Sequence, residues 1–142
     1  MPHSSVRVQD AARRIAINGP TVIGYFPAVS DKELANDDAL GSAFEHLQMA
    51  LATCDACFGS HGVDVQMVIA DKITVVDDGR VQEILPRREP DGIGAFLVSP
   101  GRDGRIVHAG RGPSSLVSYV PQAASEYFEL PACGSRGGRD AP

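Results

Sequence analysis

The chain has 142 residues, 43% of them hydrophobic and 22% charged, with no Trp. That is the length of one domain, enough to bury a core without metal or disulfide staples. Its net charge of −5 excludes the broad basic face that nucleic-acid backbones demand, and it suits an anionic membrane surface poorly.

Val8, Ala11, Ala12 and Ile15 follow i, i+3, i+4, i+7 spacing, which predicts an amphipathic helix over about 5–17 with Ser4 or Ser5 as its N-cap. Asn18-Gly19 ends it and Pro20 prevents a restart. Thr21-Val-Ile-Gly-Tyr-Phe26 is apolar, β-branched and aromatic, and reads as a buried strand. Ser30 and Glu33 stand at capping-box spacing and open a short helical turn. Leu40, Phe44, Leu47, Leu51, Cys54 and Phe58 form one apolar stripe, predicting a helix from about Asp38 to Phe58. Asp37 and Asp38 place negative charge at its start, and Gly59 is the expected left-handed residue past its end.

Val63, Val65 and Met67 alternate with polar residues, giving a strand over about 63–69. Lys72–Asp77 and Arg80–Leu85 flank Asp78-Gly79, a dipeptide that tolerates the positive φ of a tight hairpin turn. A polar loop, Pro86 to Gly92, leads to a second antiparallel pair, Ile93–Val98 and Arg105–Ala109. Pro113, Ser114 and Ser115 open a last helix whose buried face is Leu116, Val120, Ala123, Ala124 and Tyr127. Pro121 is expected to kink or split it. Residues 1–129 therefore read as a single α/β domain and 130–142 as a disordered tail.

The arginines Arg80, Arg87, Arg88, Arg102, Arg105 and Arg111 fall in the second half of the domain, and are read as solvated loops and turns. No apolar run reaches the ~20 residues of a membrane span. The N-terminus has arginines but no apolar core of a secretory signal. Three cysteines, an odd number, fit a reducing compartment. The expected location is the cytoplasm.

A strand–helix–strand unit, a later antiparallel pair and a closing helix resemble the thioredoxin-like fold. The segment from Gly94 through Ser99-Pro-Gly-Arg-Asp-Gly104 to Gly110 looks like that family's last hairpin. The resemblance covers about 20–128. It implies a three-layer sandwich around a mixed sheet, with the hairpin at 72–85 in place of the second helix. The family's Cys-x-x-Cys follows the first strand; here Tyr25-Phe26 is followed by Pro27-Ala-Val-Ser30, without cysteine. The family's cis-proline directly precedes its third core strand; here Pro90 stands three residues before Ile93.

Cys54-Asp-Ala-Cys57 has dithiol spacing, but in the last turn of the long helix. Thiolates are favoured at helix N-termini; a C-terminal turn, with Asp55 added, disfavours them. The pair is therefore read as packing, with redox chemistry as the alternative. His61 adds a third potential zinc ligand, but a structural site needs four, and His46 and Cys133 are poorly placed to complete it. Gly110-Arg-Gly-Pro-Ser-Ser115 leaves a strand and opens a helix, so Arg111, Gly112, Ser114 and Ser115 form a candidate anion-binding loop. The competing reading is a plain strand–helix turn. His108 has no predictable nucleophile beside it, and Asp77, Asp78 and Asp103 read as turn residues.

The sequence thus points to a non-catalytic thioredoxin-like binding or assembly module, with a protein partner or a second copy of itself. No cofactor, metal, nucleic acid or membrane is expected. The alternative is a thiol–disulfide oxidoreductase using Cys54 and Cys57. A third reading is a small-molecule or anion site centred on Arg111.

Overall fold

In the computed structural model, which describes residues 12–133, the central strand is β2 (Thr21–Phe26), buried at every position. Its apolar run has no polar face because both of its faces are covered. It is reached from an edge strand, β1 (Ala12–Ala16), and followed by a short helix α1 (Asp31–Asn36) and a long helix α2 (Asp38–Phe58). Then come β3 (Asp64–Ile69), the hairpin β4 (Lys72–Asp77) and β5 (Arg80–Ile84), the pair β6 (Gly94–Val98) and β7 (Arg105–His108), and helix α3 (Leu116–Phe128).

The strands form two mixed sheets, so the protein is α/β. One sheet has the order β3-β2-β6-β7, with β2 parallel to β3 and antiparallel to β6. The other has the order β1-β4-β5, with β1 parallel to β4. Successive side chains of a strand point to opposite faces. Val22 and Phe26 of β2 and Ala95 and Leu97 of β6 pack under α2 and α3. Ile23 and Tyr25, with Phe96 and Val98, pack against Ile15, Ile73, Val75 and Ile84 of the second sheet. The result is three layers: helices, four-stranded sheet, three-stranded sheet. Fully buried side chains such as Phe26, Leu47, Phe58 and Ile73 each contribute roughly 1.5–3 kcal/mol through burial.

Local sequence explains the well-formed elements. Ser30 accepts from the Glu33 N–H at 3.0 Å and Glu33 reaches back to the Ser30 N–H, closing the capping box. Asp37 accepts from the Leu40 N–H at 3.1 Å and starts α2. Asp78 (φ 45°) and Gly79 (φ 91°) make the hairpin turn, in the conformation expected of that dipeptide.

Four expectations are corrected. The predicted helix over 5–17 is a strand where it is described: residues 12–16 pair with β4, and residues 1–11 lie outside the described residues. The deciding pattern is Ile15 and Ile17, both buried and two apart, which is strand period. Gly59 does not take the left-handed conformation (φ −58°); α2 runs into a 3-10 turn, Gly59–His61, and Gly62 turns the chain at φ 86°. Pro121 lies inside α3 without splitting it. The hydrogen bond it forfeits belongs to the carbonyl of Val117, which borders an open groove, where water can reach it.

The fourth correction concerns the segment after residue 129. Glu129 is left-handed (φ 57°) and the Leu130 N–H bonds the Ser125 carbonyl at 2.9 Å, reversing the chain. Cys133 then meets Cys57 in a disulfide, with Cα atoms 5.6 Å apart. Ordered chain thus continues to Cys133; residues 134–142, the rest of the predicted tail, lie outside the described residues.

Candidate functional site

The loop after β2 occupies the place where the resemblance would put a dithiol. Pro27, Ala28 and Val29 are buried. The Ala28 N–H bonds the Asp71 carboxylate at 3.1 Å. Arg88 donates to the Ala28 carbonyl at 3.1 Å while its guanidinium grips both oxygens of Glu33. Both backbone groups of Ala28 are thereby bonded to distant segments. Among the described residues every peptide bond is trans, that of Pro90 included.

Cys54 and Cys57 do not form a working pair. The Cys54 side chain is fully enclosed in the helix-side core, and burial pushes its thiol up to about 12. Thiolate is the reactive form, so Cys54 is protonated at neutral pH. Cys57 is bonded to Cys133, not to Cys54. The reading of all three cysteines as thiols is therefore corrected for two of them: the structure joins Cys57 to a residue 76 positions away, a partner no spacing rule reveals. Such bonds persist in oxidising surroundings, which sets this one against the reducing compartment inferred from the odd count. His61 is exposed on the 3-10 turn, and His46 Nδ1 sits 2.8 Å from the Ser42 carbonyl of its own helix. Among the described residues no three of His, Cys, Asp and Glu converge as metal ligands.

The candidate anion loop bonds part of its donors within itself. The Gly112 N–H bonds the Ala109 carbonyl at 3.2 Å, and the Ser115 N–H bonds the Gly112 carbonyl at 3.0 Å. The Ser115 hydroxyl faces the carbonyls of Ala109 and Gly112. Two N–H groups and the Ser115 hydroxyl are thus engaged within the turn into α3, and Arg111 and Ser114 stand at the surface.

Asp77 and Asp103 anchor turns. Asp77 accepts from the Gly101 N–H at 2.8 Å. Asp103 pairs with Arg80 at 2.6 Å, and its carbonyl accepts from the Tyr127 hydroxyl at 2.9 Å. Arg102 lies 4.1 Å over the Tyr127 ring and donates to the Tyr127 carbonyl. These bonds lock the 99–104 loop to the first hairpin and to the end of α3.

One of the open surfaces lies at the edge of the four-stranded sheet. Beside β7, the outer edge of the four-stranded sheet, a groove of about 340 Å³ separates the strand from α3. Arg105, Ile106 and His108 form the strand wall, and Tyr119, Gln122 and Glu126 the helix wall. Ile106 is 42% and Tyr119 40% exposed. No protein-family model, curated protein or solved structure matches this chain. Its chemistry must therefore be read from the groove and the thiols themselves. No helix among the described residues is long and apolar enough to cross a membrane.

Nothing local in the sequence announces the groove, but the exposure of Ile106 was legible. Ile106 and Val107 are adjacent in a strand, so their side chains face opposite sides of the sheet. Val107 is buried; Ile106 is the one left out.

Proposed function

We propose that this chain is a thioredoxin-like module that acts by binding protein, without thiol chemistry. The observation that carries the reading is the fate of the sulfur atoms. Cys54 is enclosed and protonated, and Cys57 is tied to Cys133. The strand order β3-β2-β6-β7, with the closing helix after β7, supports the thioredoxin-like part of the reading. The buried Pro27–Val29 segment, which carries no cysteine, supports the absence of redox work at the family position. The open edge strand β7 and the mixed groove beside it support binding, because the exposed Ile106 and Tyr119 next to an unpaired edge are the usual ground for association.

The test is an insulin-reduction assay with dithiothreitol as electron source. The expected rate equals the uncatalysed background, and Cys54→Ala leaves it unchanged. Turnover above background that is lost in Cys54→Ala would establish the oxidoreductase alternative instead.

A further inference from the structure

We propose that the Cys57–Cys133 bond is a reversible redox strap, which a small thiol such as glutathione opens while the domain stays folded. Opening lets the chain beyond Leu130 leave α2, and closing draws it back. The exchange alters this chain and turns over no substrate, so it stands apart from the oxidoreductase alternative.

The bond lies at the surface. Cys57 and Cys133 are both partly exposed, whereas Cys54, on the same helix and one turn earlier, is fully enclosed. The domain is also complete beneath the strap. Leu47, Cys54 and Phe58 of α2 share one buried cluster with Leu116, Val120 and Ala124 of α3. Residues 129–133 are exposed or partly exposed, so their release empties no core. It removes a wall instead: Ala132 and Cys133 line one side of the groove that Thr53 of α2 and Val117 and Pro121 of α3 line on the other.

The strap has a fixed hinge. The Leu130 N–H bonds the Ser125 carbonyl at 2.9 Å, and the Ser125 hydroxyl donates to the Leu130 carbonyl at 2.7 Å. Neither bond involves sulfur, so both outlast reduction. Cys133 then stays a few residues from an anchored point, and closing is an intramolecular step at high effective concentration.

The exchange balances with glutathione as the electron donor. Its thiolate attacks the Cys57 sulfur, and the sulfur–sulfur bond breaks with its electron pair leaving on Cys133, which takes a proton from water. Cys133 is the leaving sulfur because Cys57 sits in the last turn of α2 beside Asp55, where negative potential disfavours a thiolate. A second glutathione thiolate attacks the glutathione sulfur of the mixed disulfide and releases Cys57, which is protonated in turn. Two glutathiones become one disulfide, and the protein disulfide becomes two thiols. Oxidised glutathione runs the same steps backwards.

The experiment counts thiols by alkylation and mass spectrometry on the full chain. After treatment with oxidised glutathione, alkylation in urea should find one thiol, Cys54. Reduced glutathione without urea should then make Cys57 and Cys133 alkylable, at a rate that rises in proportion to its concentration, with the far-UV circular dichroism unchanged. Returning the chain to oxidised glutathione should restore the single thiol. Three thiols in the oxidised chain would overturn the proposal. So would opening at a rate independent of glutathione and equal to that of global unfolding, or loss of the circular dichroism on reduction, since either describes a structural staple. Cys133→Ser supplies a second reading: oxidised glutathione should leave one glutathione on Cys57, and an adduct on Cys54 instead would contradict the placement of the sulfurs.

Discussion

Single side chains control how this protein responds to alkali and to crowding. Cys54 holds its proton to about 12 in the folded state, against about 9 for a free thiol. Between those values the unfolded chain releases a proton that the folded chain keeps, so stability falls as pH rises. The slope approaches about 1.4 kcal/mol per pH unit. Tyr25, raised from 10 to about 12 by burial, acts in the same direction. Urea midpoints at pH 8 and pH 10.5 should differ clearly in the native chain and less in Cys54→Ala. Gly94 is a residue of a different kind. A Cβ there would fall on the Val107 carbonyl oxygen, closer than atoms pack. Gly94→Ala must push β7 from β6, and overpacking of this sort costs about 1–3 kcal/mol. Its urea midpoint should drop accordingly.

At the scale of elements, caps and covalent ties decide which pieces stay in place. Ser30→Ala removes the capping box of α1, and should cost about 1 kcal/mol. Because Glu33 also holds Arg88, hydrogen exchange should quicken in both α1 and the Arg88 segment. Cys133→Ser frees the chain after α3 from α2. In the loop-entropy view a closure of this length contributes about 4 kcal/mol, so the variant should melt well below the native chain without reductant. With dithiothreitol the two should converge. These elements differ in how plainly the sequence announces them. α2 and the β4–β5 hairpin were legible because six stripe residues and one Asp-Gly turn speak for themselves locally. β1 was not: Val8, Ala11, Ala12 and Ile15 match a helical stripe, and only pairing with β4 turns residues 12–16 into a strand. The turn at Glu129 was missed because a left-handed glutamate has no signature of its own.

Across the whole molecule, the four-stranded sheet belongs to both cores. Adjacent residues of β2, such as Val22 and Ile23, serve opposite sides, so neither core can open while the other persists. Leu47→Ala empties one core and Ile73→Ala the other, each from a fully buried position. Each should cost about 2–5 kcal/mol. Both should leave a single transition by circular dichroism and calorimetry; two separated transitions would show that the cores are independent.

The sequence by itself determined the helices α1 and α2, the buried character of β2 and the hairpin turns, because each depends on periodicity and cap chemistry within a few residues. It also placed Cys54 on an apolar stripe. The tertiary structure alone decided that residues 12–16 are a strand, that Cys57 finds Cys133, and that Ile106 and Tyr119 flank one groove. Those outcomes depend on which distant segments meet, and local free-energy preferences of a few tenths of a kcal/mol yield to the burial and pairing that such meetings create.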